Sequence, residues 1–114
     1  MRSRYLQLAL LASRAALRHS DVKGFLVGAA AIRSDGTFVS AGNGPSIGVT
    51  PRVHAECRLA EKLDADATVL VIRVRRDGST GCAKPCPECV TRLLRARVAK
   101  LFYSDRDGDI CRLW

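Results

Sequence analysis

The sequence lacks the features that mark membrane-spanning, disordered or disulfide-stapled proteins. Its longest apolar stretch, residues 25–32, has eight residues, whereas a membrane-spanning helix needs about 20. It contains no internal repeat, low-complexity tract or linker-like segment. The cysteines number five, whereas a secreted disulfide scaffold is expected to pair an even number. We therefore expect a cytoplasmic protein with reduced thiols and no membrane partner.

The composition is that of an ordinary folded domain. Of the 114 residues, 47% are hydrophobic and 26% are charged, which excludes wholesale disorder. A chain of this length can bury one substantial core and is too short for two. We predict a single domain over residues 1–114.

Acidic residues are scarce relative to basic ones. There are 11 Asp and Glu against 19 Lys and Arg, which gives a net charge of +8. Such an excess attracts phosphate, either on a nucleotide or along a nucleic-acid backbone. The alternative is that these side chains solvate the surface, because net charge does not say where the charge lies. The pair Arg73 and Arg75, on one face of a predicted strand, is open to both interpretations.

Hydrophobic periodicity and turn residues predict the element order α-β-β-α-β-α-β-β. Helices are predicted over residues 3–19, 53–63 and 86–97, and strands over residues 25–32, 37–41, 68–75, 100–104 and 110–114. Asp-Gly pairs at 35–36 and 107–108 predict β-hairpins. The first helix is predicted to be amphipathic, with its polar residues on one side. This order predicts an α/β sandwich with a mixed sheet.

Side chains that commonly bind metals occur at the predicted starts of two successive helices. His54 and Glu56 lie in a His-Ala-Glu run, and Cys86 and Cys89 lie in Pro-Cys-Pro-Glu-Cys. Cys-x-x-Cys at a helix start directs two thiolates at one ion, and the helix N-terminus stabilises their charge. With His54 these make three ligands, and a catalytic zinc site keeps its fourth position for water. Glu56 is close enough to exchange a proton with that water without binding the metal.

The two motifs are much more specific together than apart. Cys-x-x-Cys alone can be a redox pair or half of a zinc knuckle. Here His54 and Cys86 are 32 residues apart, in the order His-x-Glu then Pro-Cys-x-x-Cys that marks zinc deaminases. The sequence resembles the cytidine/deoxycytidylate deaminase superfamily over nearly its whole length. Residues 25–30 resemble the first strand of cytidine deaminases, and residues 41–45 resemble the glycine-asparagine-glycine loop of deoxycytidylate deaminases.

The resemblance implies a fold, a cofactor and a set of site residues. The implied fold is a three-layer cytidine-deaminase-like sandwich with a five-stranded mixed sheet and a C-terminal β-hairpin. The implied cofactor is one zinc ion (Zn2+) per chain, bound by His54, Cys86 and Cys89, with Glu56 as the general acid and base. The implied substrate contacts are Asn43 to the sugar, the backbone N–H of Ala55 to the base carbonyl, and Phe25 and Val27 as walls of the base pocket. The alternative for Phe25 and Val27, which we favour, is that they are plain core residues.

Two departures from family patterns leave the substrate open. Free-nucleoside deaminases usually have Cys where this chain has His54, and the stretch after Asn43 lacks the Glu of their sugar clamp. Residues 105–109 form a predicted turn where deoxycytidylate and tRNA-type deaminases place a helix. That ending resembles a branch which includes nucleoside deaminases, nucleic-acid editors and toxin deaminases.

The expected function is hydrolytic, zinc-dependent deamination of cytosine to uracil with release of ammonia. The expected partner is a pyrimidine nucleotide or a single-stranded nucleic acid, and a homo-oligomer is a further expected association. One alternative is a deaminase of adenine or guanine, or an editor or toxin acting on single-stranded DNA or RNA. A non-enzymatic alternative is a zinc-stabilised nucleic-acid-binding module, which has no need of Glu56. Cys82 could be read as an additional ligand, but the site of the family it resembles does not need one, and we do not predict it; Cys57 and Cys111 are expected in the core.

Overall fold

The computed structural model describes residues 2–17, 26–42, 55–75, 77 and 79–114. Within these residues the chain forms three helices and six strands. The helices are α1 (Arg2–Leu17), α2 (Ala55–Ala60) and α3 (Pro87–Arg95). The strands are β1 (Leu26–Ile32), β2 (Phe38–Gly42), β3 (Thr68–Val74), β4 (Thr80–Gly81), β5 (Lys100–Ser104) and β6 (Ile110–Arg112).

The strands form one mixed sheet in the order β2-β1-β3-β5-β6, with β4 paired to β3. β3 and β5 are parallel, and the other pairs are antiparallel. The mixed sheet is as predicted, but β4 makes six strands where five were predicted. β5 pairs only with residues 68–71 of β3, which leaves backbone groups at the end of β3 open. β4 pairs with β3 there, at Arg73 and Val74, and the Ser104 hydroxyl accepts from the backbone N–H of Arg73.

Helices cover both faces of the sheet, which gives three layers. Along β3, Leu70 and Ile72 pack with Leu8 of α1. Val69 and Val71 point the other way, into a core that contains residues of α2 and α3. This alternation is the period of two that a strand covered on both faces must show.

α1 lies directly against β1 because both present small residues at their contact. A Cβ atom at Gly28 would collide with the carbonyl oxygen of Ala12 and would lie 2.6 Å from the backbone nitrogen of Ala16. Ala12 and Ala30 are fully buried beside it. Glycine is therefore required at position 28 by the close approach of the helix backbone.

Both Asp-Gly turns connect antiparallel strands, as predicted. Gly36 and Gly108 adopt positive φ angles of 88° and 87°, which glycine tolerates without strain. The Asp35 carboxylate accepts hydrogen bonds from the backbone and hydroxyl of Thr37. In the second turn the Asp105 carboxylate accepts from the backbone N–H groups of Asp107 and Asp109, so an Asp side chain stabilises each turn.

α1 differs from the one-sided amphipathic helix that was predicted. Leu8 and Ala12 are buried against the sheet, but Leu6, Leu10 and Leu17 are 64%, 57% and 53% exposed. At about 100° per residue these three leucines lie close together on the side opposite Leu8. α1 therefore carries a second apolar stripe that faces away from the sheet.

Several element boundaries differ from the predicted ones by one to three residues. α2 ends at residue 60, α3 covers residues 87–95, β2 covers residues 38–42, and β3 and β6 end at residues 74 and 112. The predicted helical residues 18–19 and 53–54 lie outside the described residues, as does residue 25 of the first strand. None of the described helices is long and apolar enough to cross a membrane.

Candidate functional site

Four of the described candidate residues lie at the starts of two helices that contact each other, and the fifth, Val27, lies in β1. Glu56 is the second residue of α2, and Cys86 directly precedes α3. α2 and α3 pack on the same face of the sheet and against each other. The fold thus brings together the two chain segments that carry the candidate motifs.

The start of α3 presents two sulfur donors in a defined geometry. Cys86 is the N-cap residue, with extended backbone angles (φ −70°, ψ 162°), and its side chain does not cap the helix. Pro87 begins the helix in a position where its missing N–H costs nothing. Cys86 is half-buried and Cys89, in the first turn, is fully buried. Cysteine sulfur is a donor that suits zinc.

Three of the candidate residues lie outside the described part of the structure: His54, Asn43 and Phe25. Among the residues that are described, no group of three His, Cys, Asp or Glu side chains is arranged to hold a metal ion. A metal site that included Cys86 and Cys89 would need a further ligand from outside that set. His54, which directly precedes α2, is the sequence-predicted candidate.

Glu56 and Ala55 are held in the interior at the start of α2. Glu56 is only 6% exposed, and Ala55 and Leu59 are fully buried. A carboxyl group is rarely buried without a specific role or partner. Val27 is half-buried and packs against the same core cluster as Ala55. That position suits both interpretations of Val27, as a pocket wall and as a core residue.

The segment that leads into Cys86 is held by Ser104, a residue that sequence analysis missed. Ser104 is fully buried at the end of β5. Its hydroxyl donates to the carbonyl of Gly81 at 2.7 Å and accepts from the backbone N–H of Arg73 at 3.1 Å. Its own carbonyl accepts from the N–H of Ala83 at 2.8 Å. A lone serine at the end of a strand carries no sequence signal for such a role.

Two further cysteines lie near the second hairpin rather than in a metal-binding group of described residues. Cys82 is exposed, and Cys111 is half-buried instead of lying in the core. The Cys111 thiol donates to the Asp105 carboxylate at 3.4 Å. Burial raises the pKa of the Cys111 thiol, and the negative charge of Asp105 raises it further. Cys111 therefore stays protonated more readily than an ordinary thiol. The side chain of Cys57 lies outside the described part of the structure.

Two arginine side chains converge over Gly81, close in sequence to Cys86. A Cβ atom at Gly81 would lie 3.2 Å from Cδ of Arg73 and 3.3 Å from Nε of Arg75. Arg73 alternates with Val71 along β3 and so lies on the sheet face that carries α2 and α3. Arg73 is half-buried and Arg75 is exposed. The absence of a side chain at position 81 allows both arginines to cross this point.

Comparison with protein families gives one match, over residues 2–105, to the family described as "Cytidine and deoxycytidylate deaminase zinc-binding region". The matched range includes both candidate motifs. A search of curated proteins gives no match.

Proposed function

Because the chain belongs to the cytidine and deoxycytidylate deaminase zinc-binding family, its cofactor is zinc and its activity class is zinc-dependent deamination, and we propose that it converts cytosine to uracil. In this reaction the oxygen of water adds to the ring carbon that carries the amine. The C–N bond then breaks, and the amine leaves as ammonia. A base other than cytosine, such as adenine or guanine, is the competing proposal.

We propose that His54, Cys86 and Cys89 hold one zinc ion per chain. Support comes from the two sulfur donors at the start of α3 and from the contact between α3 and α2. When bound, zinc supplies Lewis acidity that makes water an effective nucleophile near neutral pH. Three protein ligands are the number expected of a catalytic rather than a structural zinc site.

Glu56 is proposed to carry every proton transfer in the reaction. It takes one proton from the attacking water and delivers it to the ring nitrogen. It then takes the second proton, from the hydroxyl added to the ring carbon, and delivers it to the departing amine. Its burial keeps bulk water away from the carboxyl group, so that the proton stays within the site. The buried Glu56 is the observation that carries the proposal, because a purely structural zinc module has no use for it.

The remaining candidate residues are proposed to bind the substrate. The backbone N–H of Ala55 would hold the base carbonyl and Asn43 the sugar, while Phe25 and Val27 would flank the base. Ala55 is fully buried in the first turn of α2, which is a fixed position from which a backbone donor can orient a ligand.

We propose that the substrate carries phosphate, as a pyrimidine nucleotide or a single-stranded nucleic acid. The convergence of Arg73 and Arg75 over Gly81 supports this, together with the net charge of +8. Arginine binds phosphate through paired N–H donors. We further propose that residues 1–114 act as one domain in the cytoplasm, where the five cysteines would stay reduced.

Ammonia release by the zinc-loaded protein identifies the substrate. The panel contains cytidine, deoxycytidine, their monophosphates, adenosine, guanine and single-stranded DNA and RNA. Turnover of a cytosine compound that carries phosphate is expected. For the polynucleotides, the logarithm of the binding constant should fall with the logarithm of the salt concentration, with a slope of about 0.7 per neutralised phosphate. A binding constant that does not change with salt would favour the mononucleotide.

Replacement of Glu56 by Gln tests the mechanism. Glu56→Gln keeps the shape of the side chain but removes its proton transfer, so turnover should fall by at least about 10²–10⁴-fold. Folding and zinc content should be retained, because Glu56 is not a proposed ligand. Glu88→Gln is the matched control, since Glu88 lies between Cys86 and Cys89 and is exposed. Near-normal turnover of Glu56→Gln would refute the mechanism, and loss of its zinc would require a different ligand set.

A further inference from the structure

Two cysteines that are distant in the sequence lie on either side of one anchored residue, Ser104. Ala83, the residue after Cys82, donates its backbone N–H to the carbonyl of Ser104 at 2.8 Å. Ile110, the residue before Cys111, pairs with Ser104 across β5 and β6. Both cysteines are free thiols, and neither belongs to the proposed zinc site. The end of β5 thus brings the segment around Cys82 and the strand around Cys111 to the same part of the sheet.

Two further observations place these thiols near each other. A Cβ atom at Gly108, in the turn between β5 and β6, would lie 3.7 Å from Cβ of Thr80, so this turn contacts the segment that carries Cys82. Burial raises the pKa of the Cys111 thiol, and its hydrogen bond to Asp105 and the charge of Cys82 raise that pKa further. Because a Coulombic effect falls with distance, Cys82 is part of the surroundings of Cys111.

We propose that oxidised glutathione converts Cys82 and Cys111 reversibly to a disulfide, and that this disulfide weakens zinc binding. Cys82 is exposed, whereas Cys111 is half-buried and donates a hydrogen bond to the Asp105 carboxylate at 3.4 Å. An exposed thiol meets an oxidant from solution, and a protected neighbour then resolves the first product. Cys82 is therefore the thiol that reacts first, and Cys111 is the resolving thiol.

Both steps of this conversion are thiol–disulfide exchanges. The Cys82 sulfur, after losing its proton to solvent, attacks one sulfur of oxidised glutathione; the glutathione S–S bond breaks, and one glutathione leaves as a thiolate. Cys111 then gives its proton to the Asp105 carboxylate, which passes it to solvent, and the Cys111 sulfur attacks the Cys82 sulfur. The mixed disulfide breaks, and the second glutathione leaves as a thiolate. Two protein thiols are oxidised, one glutathione disulfide is reduced, and the two released protons balance the two thiolates.

The effect on zinc is transmitted by the extended segment that ends at Cys86, and this step rests on the proposed function. A disulfide holds its sulfurs about 2 Å apart, so Cys111 must leave Asp105 and the segment around Cys82 must shift towards β6. Residues 81–85 alternate between buried and exposed, as an extended chain does, and such a chain has little slack to absorb the shift.

The second sulfur donor does not follow this shift. Cys89 is fully buried in the first turn of α3, whereas Cys86 precedes the helix and is half-buried. The spacing of the two proposed ligands therefore changes when the disulfide forms. Metal sites tolerate little such change, so the oxidised chain binds zinc more weakly than the reduced chain.

Oxidation of the zinc-loaded full chain by mixtures of reduced and oxidised glutathione tests the proposal. After the remaining free thiols are blocked, mass spectrometry should show one internal disulfide, and tandem spectra should join Cys82 to Cys111. Competition with a chelator should give a zinc affinity that is lower by about 10-fold and that dithiothreitol restores. Cys111→Ser is the matched control, because it should gain one glutathione at Cys82 and keep the zinc affinity of the reduced wild type.

A wild-type chain that stops at the glutathione adduct of Cys82 would overturn the proposal, because the two thiols would then not meet. An internal disulfide with unchanged zinc affinity would overturn the effect on zinc. An equal loss of zinc affinity in oxidised Cys111→Ser would also overturn it, by assigning that loss to oxidation of the ligands themselves. The disulfide is mapped without reference to zinc, so zinc retention by reduced Cys86→Ser would refute the proposed ligand set and leave the disulfide itself standing.

Discussion

Ser104 shows how one small buried residue can determine the path of the chain to a candidate metal ligand. Its hydroxyl joins β3 to β4, and its carbonyl holds Ala83. From Gly81 onward, buried and exposed residues alternate as far as Pro85, as in an extended segment anchored along one side. We therefore expect Ser104 to act as a positioning residue for Cys86.

Ser104→Ala should weaken both folding and zinc binding. The substitution removes the hydroxyl that donates to the carbonyl of Gly81 and accepts from the N–H of Arg73. This should lower the free energy of unfolding by about 1–3 kcal/mol. The looser segment should lower zinc affinity by up to about 10-fold, measured by competition with a chelator at a temperature where the variant is folded. Ser40→Ala is the control, because the described contact of Ser40 is through its backbone carbonyl. A loss of stability with unchanged zinc affinity would reduce Ser104 to a purely structural role.

At the scale of the element, the end of α3 is stabilised by a well-formed C-terminal motif that contains one strained residue. Val98 N–H bonds to the carbonyl of Leu93, and Arg97 N–H bonds to that of Leu94. These are the two hydrogen bonds of a Schellman motif, and Leu93 and Val98 supply its apolar contact. Arg97 occupies the left-handed position with φ 59°, where a residue with a Cβ atom is disfavoured.

Arg97→Gly should stabilise the protein, because glycine adopts this conformation without the steric cost. The expected gain in the free energy of unfolding is about 0.5–1 kcal/mol, measured by urea denaturation. The same change at Arg95, an exposed residue within α3, should instead cost about 1 kcal/mol. If both substitutions destabilise equally, the strain assigned to Arg97 is wrong.

The elements that sequence alone predicts are those with a local cause. β1 and β3 are apolar runs of the length of a buried strand, and both hairpins have an Asp-Gly turn. β4 was not predicted, because it has only two residues and no strand pattern of its own. It pairs with β3 beyond the residues that pair with β5. The outward leucines of α1 were not predicted either. A hydrophobic period of 3.6 residues identifies a helix, but it does not show which of two apolar stripes packs on the sheet.

Across the whole molecule, the described candidate residues of α2 and α3 lie on one side of the sheet, and the outward leucines of α1 lie on the other. The family match over residues 2–105 confirms zinc as the cofactor, which residue types and spacing predicted, whereas the ligand set His54, Cys86 and Cys89 stays a prediction. Ser104 was not predictable, because its role depends on contacts with β3 and β4 that only the folded chain creates. The outward position of Leu6, Leu10 and Leu17 likewise becomes known only from their exposure in the folded chain.

Zinc removal should destabilise the whole molecule, because the proposed ligands join the segment before α2 to the start of α3. A metal that binds only the folded state adds its binding free energy to folding. A strong chelator should therefore lower the melting temperature of the wild-type protein. Cys86→Ser should lose most of its zinc and should melt near the melting temperature of the chelator-treated wild type. Cys82→Ser is the control, because its exposed thiol lies four residues earlier, and this variant should keep one zinc per chain. Full zinc occupancy in the Cys86→Ser/Cys89→Ser double variant, measured by elemental analysis, would show that the ion is held elsewhere.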